Sequence, residues 1–537
     1  MDLVTRLDEL AGQFPDKPAF IYSEKPNRWQ TFTYRELADL TSCLTRGLLA
    51  CGLHPGTRAA LMTPPSVEFF ALALALLRTG IVPIILDPAI GLKKVTECFS
   101  EAEPEIFFGN NLTHALRKIL GWGKHTVKHN LSIKHLLQIT NTCTARKCRC
   151  YHSPNDTCLP SLATREAAVI YTSGSTGLPK GVLYTHGNFS AQLDMLVNTF
   201  NIQPDEIDLP AFPLYALIDV LVGVTSVIPD IRFPVPGKVN AVRTLSAIRK
   251  FNVTNMFASP VMLDRLAGYG VPRKIELSSL KRVITAGAPA PFRVQRKFKE
   301  LLPEDACLFG VYGATETLPI TVIESREVFG ETEARSVRGA GICIGRPVDG
   351  AKVRIIGIGD VPIAEWQDSL EVPANQIGEI TVQGPAVTRV YIQREDATRL
   401  AKIKDGDDVI HRMGDVGYFD EQGRLWYCGR KSQRVVTKDG TWFTEQIEGI
   451  FNAHPLVYRT ALVGVNRKPV LWVELEPHAR RVDKELIKSE LIELAQNHLQ
   501  AKEIKTILFM KKFPTDVRHN SKIIREELAR IARGQAR

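Results

Sequence analysis

The stretch AAVIYTSGSTGLPKG, residues 167–181, runs from five apolar positions directly into a loop of glycines, hydroxyl groups and one lysine. A short apolar run that ends in such a loop is typical of a buried strand in an α/β protein. Glycines let backbone N–H groups turn toward an anion, and the Ser/Thr hydroxyls and Lys180 add further donors. The stretch therefore predicts a phosphate-binding loop at the end of a strand.

This loop matches neither of two common catalytic motifs. A Walker A loop has the pattern G-x-x-x-x-G-K-[ST], whereas Lys180 follows Pro179 and precedes Gly181. The G-x-S-x-G elbow of serine hydrolases is also missing, which removes the simplest hydrolase interpretation of Ser175. The loop is therefore expected to belong to another class of phosphate-binding enzyme.

Helical and strand-like segments alternate on both sides of the loop. The helical segments include TYRELADLTSCLTRGLLACGL and EFFALALALL, and the strands include TRAALM and GIVPIIL. A second such region contains VTNMFASP, KRVITAGAP and ACLFGVYGATE, each a strand that ends in a turn of small residues. This rhythm predicts parallel sheets with helices on both faces, and ligands of such sheets bind outside the carboxyl ends of the strands.

The pattern changes twice toward the C-terminus. Short strands and turns follow from about Gly341 to Gly429, and an α+β pattern restarts after Arg430. We predict an α/β fold with a large N-terminal domain, residues 1–430, of two α/β subdomains plus a small β-barrel. A mobile α+β domain, residues 431–537, is predicted to follow.

Composition is that of a soluble globular protein. The 537 residues are 44% hydrophobic and 23% charged. The N-terminus lacks the pattern of a signal peptide, and the apolar stretch 67–86 is broken by Arg78, Gly80 and Pro83. We interpret that stretch as a buried helix and strand rather than a membrane span, and we expect a cytoplasmic protein.

A basic, cysteine-containing insert is predicted at about residues 111–158. Residues 106–155 contain eight lysines and arginines and no acidic residue, in a chain of net charge +10. Such a run is either a solvated insert or a patch for an anionic partner, such as a membrane surface or an acidic protein. The insert also holds Cys143, Cys148, Cys150 and Cys158 near His152, but their spacing is not a usual zinc pattern. Structural zinc and reduced thiols in a loop both remain open.

The loop closely resembles the phosphate loop of the acyl-adenylate-forming (ANL) enzymes, the superfamily of acyl-CoA synthetases, luciferases and peptide-synthetase adenylation domains. Further segments resembling the family's motifs follow in order: TAGAP (285–289), YGATE (312–316), GDVGYFDEQGRLWYCGR (414–430) and PTDVRHNSKIIR (514–525). The resemblance covers nearly the whole chain. It implies that ATP and Mg²⁺ are the cofactors.

The resemblance also implies a role for each site residue. The nucleotide is expected to bind Thr172, Ser173, Gly174, Ser175, Thr176, Gly177, Lys180, Gly287, Ala288, Pro289, Tyr312, Gly313, Ala314, Thr315, Asp415 and Arg430. The catalytic residues are expected to be Lys180, Thr315, Glu316 and Lys522, with Glu316 as the metal ligand. Attack of a carboxylate on the α-phosphate brings two anions together, so Mg²⁺ on Glu316 and the charge of Lys522 would neutralise the developing charge. Asp415 would accept hydrogen bonds from the ribose hydroxyls.

Within this superfamily, the chain most resembles the β-lactone synthetases of bacterial long-chain olefin biosynthesis (the OleC family). The resemblance lies in segments such as FPLYALIDVLVGVTSVIPD, HRMGDVGYFDEQGRLWYCGRKSQRV and FPTDVRHNSKI. It implies that a long-chain 2-alkyl-3-hydroxyalkanoic acid is adenylated and that its own 3-hydroxyl displaces AMP. The products would be a cis-β-lactone, AMP and pyrophosphate. The alternative is a long-chain fatty acyl-CoA or acyl-AMP ligase.

Three departures from the coenzyme A ligase pattern favour the lactone. Ser432 stands where an aspartate is typical of the hinge, Ala216 stands where many such ligases carry a histidine, and Gly440 is displaced in the loop toward the pantetheine tunnel. An internal nucleophile makes such a tunnel unnecessary. His411 and Asp219 are candidate bases for the 3-hydroxyl, by proximity in sequence to the motifs.

The OleC resemblance also implies partners. The β-lactone decarboxylase, a hydrolase, and the reductase of the olefin pathway are expected to associate with the chain, and the basic insert is a candidate docking surface. Nucleic-acid binding is not expected, since no supporting motif accompanies the basic composition. Peripheral membrane association is the most that we expect at a lipid surface.

Overall fold

The computed structural model describes residues 3–25, 28–86, 90–142, 162–171, 179–212, 215–229, 239–438, 440–515 and 523–535. In chain order the strands of these residues are β1 (Pro18–Lys25), β2 (Arg28–Thr33), β3 (Arg58–Met62), β4 (Val82–Ile85), β5 (Ile106–Gly109), β6 (His129–Leu131), β7 (Glu166–Tyr171), β8 (Gly181–Thr185), β9 (Ile207–Pro210), β10 (Thr225–Ile228), β11 (Asn255–Ala258), β12 (Arg282–Thr285), β13 (Cys307–Ala314), β14 (Thr317–Glu324), β15 (Ile342–Cys343), β16 (Arg346–Pro347), β17 (Lys352–Ile356), β18 (Gly378–Gln383), β19 (Lys402–Asp405), β20 (Asp408–Phe419), β21 (Leu425–Arg430), β22 (Val435–Val436), β23 (Thr441–Trp442), β24 (Val457–Val465), β25 (Lys468–Leu475) and β26 (Thr506–Phe509).

The helices lie between these strands. In chain order they are α1 (Arg6–Gln13), α2 (Tyr34–Ala50), α3 (Val67–Thr79), α4 (Leu92–Ala102), α5 (Asn111–Leu120), α6 (Ile133–Thr142), α7 (His186–Phe200), α8 (Tyr215–Val222), α9 (Ala241–Lys250), α10 (Pro260–Gly270), α11 (Phe292–Lys299), α12 (Ser325–Glu327), α13 (Glu333–Arg335), α14 (Glu395–Ala401), α15 (Thr444–Phe451), α16 (Lys484–Gln496) and α17 (Arg525–Gln535).

The first sheet has six strands in the order β6-β5-β3-β4-β7-β8. Its strands are parallel except β8, which returns antiparallel to β7. The apolar segment 67–86 forms α3 and β4, as predicted, and α3 packs in a core cluster with α2. The Ser66 hydroxyl caps the start of α3 by accepting a hydrogen bond from the Phe69 N–H, and α3 ends at Gly80 in the left-handed conformation.

The second sheet has nine strands in the order β16-β14-β13-β12-β11-β9-β10-β1-β2. The run from β1 through β10, β9, β11 and β12 to β13 is parallel, whereas β2 and β14 are antiparallel to their neighbours. Helices α9, α10 and α11 bury their apolar faces against this sheet. The prediction of two α/β regions is confirmed.

A six-stranded antiparallel sheet occupies the part of the chain predicted as a small β-barrel. Its order is β15-β21-β20-β18-β17, with β19 paired to β20. In the long hairpin of β20 and β21, Asp415 lies opposite Arg430. This register brings together the two predicted site residues at the ends of one motif.

The chain after Arg430 forms its own small sheets and helices. β24 pairs with β25 antiparallel and β26 joins β25 in parallel, and their apolar residues form cores with α15, α16 and α17. Helix α15 lies tightly on residues 336–340, because a Cβ atom on Gly449 would come 2.8 Å from the Ser336 carbonyl oxygen. The domain boundary at residue 431 and the mobility of the C-terminal domain stay predictions.

The structure differs from the expectation of a solvated insert over residues 111–142. Strand β6 pairs with β5 at the edge of the first sheet, and Trp122 is buried, with its ring stacked on Phe99 and its N–H donating to Thr96 Oγ1. The sequence did not indicate this packing because lysines at exposed positions surround the buried apolar residues. No described helix is both long and apolar enough to span a membrane.

Candidate active site

Three predicted turns meet at one edge of the second sheet. Strands β11, β12 and β13 are parallel neighbours, with Ala258 opposite Thr285 and Thr285 opposite Gly310. The TAGAP and YGATE turns therefore leave the sheet side by side at the carboxyl ends of their strands. Gly287 has φ +91°, a conformation that favours glycine over residues with a Cβ atom. Residues 287–289 and 312–316 thus line the same edge.

The predicted ribose-binding aspartate lies beside the predicted adenine-binding tyrosine. The Tyr312 hydroxyl donates to Asp415 Oδ2 at 2.7 Å, and Arg430 Nη1 lies 3.0 Å from Asp415 Oδ1. The structure thus brings these three residues of YGATE and of the β20–β21 hairpin into direct contact. Tyr427 adds a second aromatic ring, whose centroid is 6.3 Å from that of Tyr312.

Burial and charge act against each other at Asp415. Burial raises the pKa of the Asp415 carboxyl, whereas Arg430 and the Tyr312 hydroxyl lower it. The negative charge of Glu316 also raises the pKa of Asp415, which places the predicted metal ligand in the same electrostatic environment. In return, Asp415 raises the pKa of the Arg430 guanidinium, so Arg430 stays charged.

Glu316 is held by a segment that follows the antiparallel strand β18. The Tyr391 hydroxyl donates to Glu316 Oε1 at 2.6 Å. The Thr388 N–H and hydroxyl both donate to the Glu316 backbone carbonyl, at 2.9 and 3.0 Å. Because Tyr391 occupies Oε1, the other carboxylate oxygen can serve a metal ion together with phosphate oxygens, a donor set that Mg²⁺ prefers.

Lys180 and Lys402 lie near the same tyrosine. Lys180 Nζ is 4.9 Å and Lys402 Nζ 5.8 Å from the centroid of the Tyr391 ring. Burial lowers the pKa of Lys402 to about 7, Glu316 acts in the opposite direction, and the Lys180 charge lowers this pKa further. A phosphate anion nearby would favour the charged form of Lys402.

The strand after the phosphate loop is joined to the segment that holds Glu316. Ile392 donates its N–H to the Gly181 carbonyl at 2.9 Å, and Leu183 donates to the Val390 carbonyl at 3.2 Å. Across this edge Tyr184 also donates a hydrogen bond from its hydroxyl to the Thr315 carbonyl. The exit of the phosphate loop, the YGATE turn and Tyr391 are therefore fixed relative to one another.

Several predicted residues lie outside the described part of the chain. They are Thr172, Ser173, Gly174, Ser175, Thr176, Gly177 and Lys522, together with Cys143, Cys148, Cys150, His152 and Cys158. Among the described residues no cluster of three or more His, Cys, Asp or Glu side chains is suited to a metal. A single carboxylate such as Glu316 suffices for Mg²⁺ when substrate phosphates complete the coordination.

The C-terminal domain contributes charged groups close to this site. Arg525, three residues after Lys522, forms an ion pair with Glu448 at 2.5 Å and donates to Gln433 Oε1 at 3.1 Å. Burial raises the pKa of Glu445 to about 7, with Glu448 and Asp415 raising it and Arg525 lowering it. Arg525 and Asp415 thus act on the same carboxyl group, that of Glu445.

The two candidate bases lie in different surroundings. His411 is buried on β20, with Nδ1 3.1 Å from the Ala401 carbonyl oxygen, and burial and Lys402 hold its pKa well below the usual range. Asp219 accepts a hydrogen bond from Ser226 at 2.7 Å inside the core of the second sheet. Burial and the neighbouring Asp208 raise the pKa of Asp219. The contacts of Asp219 are those of a core residue.

Sequence reasoning missed Thr388, Tyr391 and Lys402. Tyr391 reaches Glu316 over 75 positions of sequence, and no motif marks it. Lys402 and Lys404 occupy alternate positions of β19, yet Lys402 is buried and Lys404 is exposed. Side chains two positions apart on a strand point to the same face, so strand periodicity cannot predict that only one of these two lysines is buried.

The fold and the site together define an adenylate-forming enzyme. The model of the AMP-binding enzyme family matches residues 7–392, and the chain belongs to this family. An O-succinylbenzoate coenzyme A synthetase from Bacillus subtilis, solved with ATP and a magnesium ion, has the same fold. It superposes with a TM-score of 0.74 at 21% identity, covering 98% of this chain and 99% of the other.

The resemblance to olefin β-lactone synthetases is confirmed by two relatives that carry this name. The chain is 41% identical to the one from Xanthomonas campestris pv. campestris, over 93% of this chain and 90% of the relative. It is 40% identical to the one from Stenotrophomonas maltophilia, over 98% and 97%. This similarity spans the N-terminal sheets, the antiparallel sheet and the C-terminal residues.

Proposed function

We propose that the protein is an ATP-dependent β-lactone synthetase that acts on long-chain 2-alkyl-3-hydroxyalkanoic acids. The observation that carries this proposal is the 40–41% identity to two olefin β-lactone synthetases over nearly the whole chain. The arrangement of Tyr312, Asp415, Arg430 and Glu316 supports the adenylating half of the reaction.

In the first step a carboxylate oxygen of the acid attacks the α-phosphorus of ATP. A new P–O bond forms, the bond to pyrophosphate breaks, and an acyl-AMP results. Asp415 orients the ribose by accepting from its hydroxyls, and the Arg430 charge favours the ionised form of Asp415 against the effect of burial. Lys180 and Lys522 offset the charge at the phosphates, and Glu316 would hold a Mg²⁺ ion, which supplies further positive charge there when bound.

In the second step the 3-hydroxyl oxygen attacks the acyl carbon. The new C–O bond closes a four-membered lactone, and AMP leaves with the electrons of the broken acyl–phosphate bond. The proton of the 3-hydroxyl passes to the departing AMP phosphate or to solvent, so the step needs no other reactant. A well-oriented internal nucleophile can have an effective molarity on the order of 10⁵ M or more. Ring strain opposes closure, and cleavage of the acyl phosphate drives it. The proposed product is the cis isomer of the lactone.

The test compares AMP release from a 3-hydroxy acid and from its 3-deoxy counterpart, each with and without coenzyme A. The proposal predicts continuous AMP release only with the 3-hydroxy acid and at the same rate in both conditions. The 3-deoxy acid should yield no more than one equivalent of acyl-AMP per enzyme molecule. Release from both acids that requires coenzyme A would instead establish an acyl-CoA ligase.

We also propose that the protein works in the cytoplasm and contacts the hydrolase and reductase of its pathway through α5. Leu112 and Ile119 on this helix are 67% and 78% exposed, and Lys118 lies beside them. Exposed apolar side chains next to a positive charge suit an acidic partner surface. Residues 111–142 include β6 of the first sheet and the buried Trp122, so point substitutions test this better than deletion. Ile119→Asp should abolish co-purification with either partner, and Leu499→Asp, at a 75% exposed leucine elsewhere, should not.

A further inference from the structure

Lys402 is a buried lysine at the start of β19. It lies opposite His411 on β20, and its side chain points to Thr388. Lys402 Nζ donates to the Thr388 carbonyl at 2.5 Å and lies 3.4 Å from Thr388 Oγ1. The same Thr388 hydroxyl donates to the Glu316 carbonyl. A chain of two hydrogen bonds thus links Lys402 to the predicted metal ligand.

Within the described part of the chain, the hydrogen bonds of this lysine go to Thr388 and it forms no ion pair, while the Glu316 charge acts on it through space. Lysine is almost never fully buried unless it is paired, because desolvating its charge is costly. A lysine that served only packing would be better replaced by an apolar side chain of similar length. Its position therefore calls for an anion that is bound during the reaction.

The anion that fits is the pyrophosphate end of ATP. We define the lysine–tyrosine cluster as Lys180, Tyr391, Lys402 and Glu316. Both lysines lie within 6 Å of the Tyr391 ring centroid, and the Tyr391 hydroxyl holds the Glu316 carboxylate. Lys180 and Lys402 thus lie near one aromatic ring, beside one carboxylate. A phosphate chain placed there would attract both ammonium groups.

We propose that Lys402 is a positioning residue that tunes this end of the site for pyrophosphate. It secures Glu316 through Thr388, and its charge acts through space on the β- and γ-phosphates. Tyr312 and Asp415, at the nucleoside end, form no hydrogen bond with Lys402 or Thr388. Lys402 should therefore affect pyrophosphate much more than AMP. This inference rests on the adenylating half of the proposed function and not on lactone closure.

The matched pair of variants is Lys402→Met and Lys404→Met. Both remove one positive charge from β19, but Lys402 is buried beside Thr388 and Lys404 is exposed. Calorimetry would measure the affinity of the full-length protein for magnesium pyrophosphate and, separately, for AMP. We expect Lys402→Met to weaken pyrophosphate binding about tenfold and AMP binding less than twofold. Lys404→Met should change neither.

Equal weakening of AMP and pyrophosphate by Lys402→Met would overturn the proposal, because a general structural role predicts that result. Unchanged pyrophosphate affinity would overturn it as well. Thermal unfolding serves as the control for folding, and an apolar replacement of a buried lysine should not lower the unfolding temperature. Lys402→Gln provides a second variant with the same expected pattern if Lys402→Met does not fold. The assay contains no acyl substrate, so failure of the lactone proposal would leave its result intact.

Discussion

Replacing Asp415 by asparagine tests how the site selects a ribonucleotide. The amide keeps the shape of the side chain and one acceptor for the Tyr312 hydroxyl, 2.7 Å away, but removes the charge that faces Arg430 at 3.0 Å. Hydrogen bonds to a charged acceptor contribute about 1.5–3 kcal/mol each. Weakening the two hydrogen bonds from the ribose hydroxyls should therefore reduce the binding free energy of AMP by about 2–3 kcal/mol, which lowers the affinity roughly 30- to 150-fold.

The assay is calorimetric binding of AMP and 2′-deoxy-AMP to both proteins. The wild type should prefer AMP, and Asp415→Asn should lose most of that preference. Asp408→Asn is the matched control, since Asp408 begins the same strand β20 and its side chain is 68% exposed. AMP affinity within twofold of wild type in Asp415→Asn, or an undiminished preference for the ribose, would refute the role of this carboxylate.

Three further substitutions test other parts of the structure. Tyr391→Phe removes the 2.6 Å hydrogen bond to Glu316 and should weaken Mn²⁺ binding in the ATP complex roughly tenfold. Electron paramagnetic resonance measures this affinity, and an unchanged value would contradict the expectation. Burial raises the pKa of Asp208 to about 7, so the contribution of this carboxyl to stability should fall as pH rises from about 4 to 7. Asp208→Asn should make the loss of stability over this range smaller and should be about 1–2 kcal/mol more stable than wild type at pH 8 in urea unfolding. Parallel pH profiles of the two proteins would argue against it. Gly345 has φ +83°, and a Cβ atom added there would lie 1.9 Å from a backbone oxygen, so Gly345→Ala should lower the free energy of unfolding by about 3 kcal/mol or more. A Cβ atom added at Gly357 meets nothing within 4 Å, so Gly357→Ala should not destabilise the protein in this way. Equal unfolding temperatures of the two variants would refute the reasoning.

The sequence pattern predicts the two α/β regions, and the resemblance to the adenylate-forming family implies the residues of the nucleoside end. Apolar runs that end in small-residue turns mark β11, β12 and β13, and parallel pairing places those turns at one edge. Asp415 and Arg430 lie in one motif, and a hairpin between them needs only local pairing to bring the two side chains together. These features depend on local pattern and on general rules of sheet topology.

The phosphate end depends on contacts that no local pattern encodes. Tyr391 meets Glu316 because the segment after β18 lies against the YGATE turn, and Lys402 meets Thr388 because β19 lies against that same segment. A lysine in a strand of alternating residues is expected to be solvated, and Lys402 is not. The same difficulty hid Trp122, because its neighbours carry enough positive charge to resemble a solvated insert.

The most direct test of the central claim is proton NMR, without heating, of the product made from Mg-ATP and a long-chain 2-alkyl-3-hydroxy acid. Heating must be avoided because a strained β-lactone can lose CO₂ and be mistaken for an alkene. The account predicts lactone ring protons and one equivalent of AMP per lactone, with or without coenzyme A. A thioester that forms only with coenzyme A, and no lactone in either sample, would contradict it.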